Sequence, residues 1–246
     1  MRSKIVPTAN IARLSAAATA LLSRAPGMPG MGIVEGETGF GKSTGVAWMA
    51  TKTRGVFVRA QSMSTPTSLL TAMCKELGIV KRAANAETVD EIVTQLSETS
   101  RPLFIDEADY LAKKTALIEM LRDIHDLASV PVVLIGMAGF QRKIRYLRQL
   151  TGRIAEAVEF LPATFDDAQA LARELAEVTI APDLVHKLYA ETRGSIRLFV
   201  NGLSRIEQFA SSRALDSIAA NEWPVNKAFF VGEVPVPKKA SVALAA

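Results

Sequence analysis

Two kinds of apolar pattern alternate along this chain. Short, largely apolar runs lie at residues 31–34, 55–59, 102–106, 130–135 and 157–161, broken only by Arg59, Asp106 and Glu159. Longer stretches at 11–22, 43–52, 66–77, 88–97, 113–127 and 139–150 bring apolar side chains back every three or four positions. A largely apolar run suits a strand buried on both faces, and the three-to-four repeat suits a helix with one covered face. Thr8 and Asn10 are good caps ahead of the first helix, Pro26-Gly27 ends it, and Gly78 closes the helix that starts at Pro66. Strands alternating with helices predict a three-layer αβα domain around a parallel sheet. After Pro162 the strand-like runs stop, and residues 165–178, 182–192 and 195–210 read as three helices, a small all-helical lid. From Asn221 the chain turns to Trp223, Pro224, Pro235, Pro237, Lys238 and Lys239, which reads as an irregular tail that packs little or binds something. The expected plan is an N-terminal helix and linker over 1–30, an α/β core over 31–161, the lid over 162–220 and the tail over 221–246.

Composition narrows this picture in three ways. At 246 residues and 49% hydrophobic content the chain has ample material for a packed core, which excludes wholesale disorder. Lys and Arg number 29 against 25 acidic residues, a net +4 that permits nucleic acid as a partner without demanding it. The single Cys74 lies in an apolar helical pattern and is expected to fill core space rather than form a disulfide. The opening residues lack an apolar signal core and no run is long enough to span a bilayer, so the expectation is a soluble cytoplasmic protein, in a bacterial host cytoplasm if phage-encoded, with no membrane partner.

The chemistry begins directly after the first strand. Residues 36–43 read GETGFGKS and fit G-x-x-x-x-G-K-[ST], the phosphate-binding loop. Gly36, Gly39 and Gly41 let the backbone curl close to an anion, while Glu37, Thr38 and Phe40 fill the turn and offer N–H groups to phosphate oxygens. Lys42 supplies a charge for the β and γ phosphates, the Ser43 hydroxyl a Mg²⁺ ligand, and Thr44 opens the following helix, whose positive end faces the same phosphates. ATP and Mg²⁺ are the expected cofactors.

A second acidic element lies where the run Leu103-Phe104-Ile105 ends in Asp106-Glu107. At a neighbouring strand tip Asp106 suits the Mg²⁺ bound through Ser43, and Glu107 suits activation of the attacking water. Residues 106–109 spell DEAD, but a helicase of that class needs a second motor domain for which one α/β domain leaves no room. Asp109 is therefore expected to be solvated or to cap a helix.

A phosphate loop, a strand ending in Asp-Glu and Gly194-Ser195-Ile196-Arg197 at a helix start in the lid resemble the AAA+ ATPases. The resemblance implies that Arg197 touches the nucleotide phosphates. It also implies assembly into rings or helices, with an arginine at a subunit edge reaching the neighbour's γ-phosphate. Arg153 in Thr151-Gly152-Arg153-Ile154 is the expected trans arginine and Arg148 the reserve. One departure stands out. Such proteins carry a polar residue near the end of the fourth core strand, whereas this strand reads Val132-Val133-Leu134-Ile135-Gly136-Met137. Either the neighbouring helix supplies the polar group or hydrolysis is slow.

From roughly Thr8 to Ala210 the chain is also similar to the AAA+ ATPases of DNA transposition, the group of the phage Mu B protein and the TnsC and TniB regulators. The features are the short N-terminal helix, GETGFGKS, FIDEAD, VLIGM and RIAEAVEF. The resemblance implies ATP-dependent polymerisation on duplex DNA without sequence preference, and recruitment and stimulation of a transposase. The Mu B protein carries an added N-terminal DNA-binding domain that the residues ahead of Ile11 are too few to form, so the DNA grip is expected in the core. Lys81-Arg82 and Lys113-Lys114 are the expected DNA contacts, and the basic stretch Arg142, Lys143, Arg145, Arg148 is expected on one short helix at a subunit interface. A helicase-loader or initiator-like adaptor acting mainly on a protein shares the same motifs and is the alternative.

Overall fold

The computed structural model describes residues 1–231. The chain divides into two compact units: residues 5–161 form one, and residues 1–4 with those from 162 onward form the other.

The first unit is built on a five-stranded, all-parallel sheet of β1 (Met31–Gly36), β2 (Val56–Arg59), β3 (Leu103–Asp106), β4 (Val132–Ile135) and β5 (Ile154–Phe160), in the order β2-β3-β4-β1-β5. Helices α1 (Ala9–Leu22) and α2 (Lys42–Lys52) cover one face, where Leu14, Leu21, Val46 and Met49 pack on Val34, Phe104, Val133 and Phe160. Helices α3 (Pro66–Leu77), α4 (Asn85–Thr99), α5 (Thr115–Ala128), α6 (Phe140–Arg145) and α7 (Arg148–Thr151) cover the other, around Ile33, Val58, Ile105 and Leu134. Residues 103–105 are apolar throughout because both faces of β3 are covered, and each such side chain contributes about 1.5–3 kcal/mol relative to exposure.

Local chemistry fixes the helix ends. The Thr8 hydroxyl accepts from the Ile11 N–H at 3.5 Å, and Thr65 with Ser68 forms a reciprocal capping box after which Pro66 opens α3. The expected helix over 139–150 is two short ones. The chain breaks at Tyr146 and Leu147, the latter at ψ 87°, outside helical values, so the basic stretch does not share one helix.

The second unit holds α8 (Phe165–Leu175), α9 (Pro182–Thr192) and α10 (Ile196–Ser211). It also contains a two-stranded parallel ladder, β6 (Thr179–Ile180) with β7 (Ser217–Ile218), too short to leave a sequence signal. Residues 221–231 are not loose. Trp223 and Phe229 are buried and stack at 5.0 Å, Phe209 meets Trp223 edge-on at 5.3 Å, and the Trp223 indole N–H donates to the Lys227 carbonyl at 2.9 Å. Pro235, Pro237, Lys238 and Lys239 lie outside the described residues.

Candidate nucleotide site

Parallel strands deliver their C-terminal ends to one edge of the sheet, the usual place for a ligand in such folds. Gly36 ends β1 there, Asp106 ends β3, Arg59 ends β2, and Gly136 follows β4. The register sets the level. Arg59 pairs with Asp106 across β2 and β3, and Gly36 pairs with Phe160 across β1 and β5. Gly36 has φ 152°, and a Cβ there would sit 2.5 Å from the Phe160 carbonyl oxygen. Gly41 has φ 88° and forms the left-handed N-cap from which α2 springs at Lys42.

Within this loop the Lys42 ammonium donates to the Gly36 and Glu37 carbonyls at 2.6 and 2.8 Å. Burial pushes it below the ordinary lysine value, while the carboxylates of Glu107, Asp106, Glu37 and Asp109 pull it back up. The Ser43 hydroxyl stands 3.4 Å from Asp106 Oδ1. Asp106, buried, uses Oδ1 also to accept the Glu107 N–H at 3.0 Å, and Oδ2 to accept Arg59 Nε and Nη2 at 3.2 and 3.0 Å. Glu107 is half-buried at φ 56°, ψ 35°, a left-handed conformation that costs a non-glycine residue about 1–2 kcal/mol.

These donors fit the expected cofactors. A hydroxyl and a carboxylate side by side are the hard oxygen pair that Mg²⁺ takes from a protein while substrate phosphates and water complete its shell. The four carboxylates that act on Lys42 add negative charge to the site, which a metal bound with the triphosphate would offset. Ser43 and Asp106 would hold the metal. Lys42 and the N–H groups of residues 36–44 would hold the triphosphate.

The geometry of the site agrees with a comparison by sequence family, in which residues 27–144 match a model described as an AAA domain. The fold is that of an AAA+ P-loop ATPase. Among solved AAA+ structures, the chain resembles the Orc1 protein of Aeropyrum pernix in complex with DNA at 20% identity and a TM-score of 0.61, covering 90% of this chain and 64% of that one. It resembles Cdc6p of Pyrobaculum aerophilum at 17% and 0.63, covering 88% and 65%. It resembles the RuvB Holliday junction branch migration motor of Thermotoga maritima at 18% and 0.60, covering 88% and 67%. The chain thus spans just under two thirds of the Orc1 and Cdc6p chains, and likeness at this identity establishes the AAA+ fold alone. No curated protein matches the sequence.

Other expected residues take different positions. Arg197 lies in the first turn of α10 in the second unit. Arg153 precedes β5, at the opposite end of the sheet from the phosphate loop, since Met31 pairs with Ile154 where Gly36 pairs with Phe160. Its guanidinium is held within the chain. Nε donates to both Asp126 carboxylate oxygens at 2.7 and 2.8 Å and Nη1 to the Gln149 carbonyl at 2.8 Å. Donating hydrogen bonds to Asp126 holds that guanidinium above its ordinary value, and accepting them holds the Asp126 carboxyl below its own. Arg148 opens α7, and its side chain lies outside what the structure describes.

Of the basic pairs, Lys113 is exposed, Lys81 is half-buried and donates to the Arg82 carbonyl, and Arg82 pairs with Glu91 at 2.7 Å. Lys114 does not face outward as expected. Its ammonium donates to the Ser62 and Ser64 carbonyls at 2.9 and 2.8 Å and staples the turn between β2 and α3.

Asp109 is neither solvated nor a helix cap, which corrects the expectation. It bridges to the end of β4 and to α6. Arg59 was not foreseen either, although its place at a strand tip would have marked it once the strand order was known. Among the described residues no helix is long and apolar enough to cross a membrane, and no His, Cys, Asp and Glu cluster forms a separate metal site.

Proposed function

We propose that this protein is an ATP-hydrolysing AAA+ ATPase that binds duplex DNA as an oligomer. The observation that carries the first part is the convergence of Lys42, Ser43, Asp106 and Glu107 at one edge of the sheet. In this reading Lys42 and the loop amides hold the β and γ phosphates, and Ser43 and Asp106 hold Mg²⁺, which neutralises phosphate charge during the reaction. Glu107 accepts a proton from the attacking water. The family resemblance adds two phosphate-reading arginines, Arg197 from the same chain and Arg153 from a neighbouring subunit.

DNA as partner is supported by the likeness to an Orc1 protein solved with DNA and to a branch migration motor, and by the exposed Lys113 with the Lys81-Arg82 loop. Lys114, committed to the Ser62 and Ser64 carbonyls, drops out of that set. The finer reading is a transposition regulator that assembles on target DNA and activates a transposase. It rests on the motif resemblance of FIDEAD, VLIGM and RIAEAVEF. The second reading, which the same motifs allow, is a helicase-loader or initiator-like adaptor whose main partner is a protein.

One experiment addresses these parts together. The protein is mixed with ATP and Mg²⁺, with and without plasmid, and phosphate release, filaments by electron microscopy and DNA retention across a salt series are followed. ATP-dependent assemblies on DNA with steep salt weakening are expected, since each neutralised phosphate releases counterions. Lys81→Ala with Arg82→Ala should flatten the salt slope by about one to two units. Absence of nucleotide binding removes the whole reading, and ATP turnover without DNA retention leaves the protein-adaptor reading.

A further inference from the structure

Resting on the ATPase reading, we infer that Asp109 is the positioning residue of the water-activating turn. It ties that turn to the end of β4 and to Lys143, where β4 itself offers no polar side chain.

The turn needs an anchor. Glu107 occupies a left-handed conformation, which persists only when the surroundings over-determine it. On its N-terminal side the Asp106 carboxylate accepts the Glu107 N–H at 3.0 Å. On its C-terminal side the chain makes one tight helical turn, Ala108–Tyr110, with Ala108 fully buried and the Tyr110 N–H donating to the Glu107 carbonyl at 3.1 Å. That turn places Asp109 across from β4. Its Oδ2 accepts the Met137 N–H and its Oδ1 accepts the Lys143 ammonium at 2.8 Å, with the Asp109 side chain only 14% exposed.

Two further observations mark this as a built contact. Gly136 lacks a side chain where a Cβ would sit 2.4 Å from Phe140 Cγ and 2.7 Å from Asp109 Oδ2, so any larger residue at this strand end would crowd both the α6 phenyl ring and the carboxylate. The Thr38 hydroxyl of the phosphate loop meets the Met137 sulfur at 3.5 Å, so the residue whose N–H Asp109 holds also touches the loop. The fourth-strand position, apolar in sequence, is thus joined to Glu107 through its backbone N–H and an aspartate.

Lys143 completes the arrangement. Asp109 is one of four carboxylates acting on Lys42, and an unpaired charge there would add to the repulsion that a triphosphate meets. The ion pair with Lys143 offsets that charge and keeps Asp109 turned toward Met137.

The test compares Asp109→Ala, Asp109→Asn, Lys143→Ala and Lys143→Arg in the full chain. Steady-state ATP hydrolysis, nucleotide Kd and hydrogen exchange of the Glu107 and Met137 amides without nucleotide are the readouts. Misplacing a catalytic group by about 1 Å costs up to about a hundredfold. Asp109→Ala should lower kcat at least about tenfold while Kd and KM for ATP stay within about threefold. Both amides should exchange faster. Asp109→Asn, which still accepts the Met137 N–H, should lose less, and Lys143→Arg should restore what Lys143→Ala loses.

Unchanged kcat in a folded Asp109→Ala, or unchanged amide exchange, overturns the proposal. If Asp109→Ala does not fold, the half-exposed Lys143 decides: indifference to both Lys143→Ala and Asp109→Asn also overturns it. A wild-type protein that binds ATP without ever hydrolysing it removes the ATPase reading and the catalytic meaning of the turn with it. An active wild type with indifferent variants removes this proposal alone.

Discussion

The Arg59 guanidinium closes onto the Asp106 carboxylate across the tips of two paired strands, Nη2 to Oδ2 at 3.0 Å. Without a metal, the cation beside this buried acid comes from the protein itself. Arg59→Ala should therefore lower stability in the absence of Mg²⁺ by about 1–3 kcal/mol, because it leaves a buried carboxylate without its charged partner. Mg²⁺ with a non-hydrolysable ATP analogue should then raise the melting temperature more in the variant than in the wild type. Differential scanning calorimetry with and without the metal checks this, and equal gains would count against it.

Arg153 and Asp126 make a second prediction, about assembly. If Arg153 serves a neighbouring subunit, it must first leave Asp126 and the Gln149 carbonyl. Arg153→Ala should bind ATP normally and lose the part of turnover that rises with protein concentration. Asp126→Asn, which loosens the hold, should raise that part by about two- to tenfold, a gain of up to one factor of ten per 1.4 kcal/mol. Turnover per subunit against concentration separates the two variants, and indifference of both removes Arg153 from the site.

His125 makes a prediction about pH. Burial holds its imidazole below the ordinary histidine value, and its Nδ1 meets the Val130 carbonyl at 2.7 Å. The unfolded chain therefore binds a proton more readily than the folded one, so stability is full above the ordinary histidine value and declines as pH falls through it toward the lowered one. Asp126, held down by Arg153, loses its contribution only in the more acidic range of carboxylates. Melting temperature should fall between about pH 7.5 and pH 5.5, and His125→Gln should flatten that dependence.

Gly36 and Gly152 form a matched pair of substitutions. A Cβ on Gly36 would meet the Phe160 carbonyl oxygen at 2.5 Å, whereas one on Gly152 would meet nothing within 4 Å. Urea unfolding should show Gly36→Ala destabilised by about 2 kcal/mol or more, and Gly152→Ala within about 0.5 kcal/mol of the wild type.

These residues also show what could be read in advance. The phosphate loop was legible because its chemistry is contained in eight consecutive letters, and β3 because burial on both faces leaves only apolar residues until the acid. Arg59 acquires meaning only from the pairing of β2 with β3. The partners of Asp109, Met137 and Lys143, lie 28 and 34 residues further on. The spacing of Phe140, Ile144, Leu147 and Leu150 fits one helix as well as two, so the break at Tyr146 was invisible. Trp223 stands among prolines and polar residues, and only its stacking partners Phe229 and Phe209 show that it is core.

The Lys114 staple has a mechanical corollary. One ammonium grips two carbonyls of the turn that carries Met63, whose side is 83% open to solvent, and the same lysine stands seven residues downstream of Glu107. Parting them means breaking two charge-assisted bonds of about 1.5–3 kcal/mol each, at the lower end where water reaches them. The turn that carries the protruding methionine is thereby pinned to the residue from which α5 departs, so one side chain fastens two loops together.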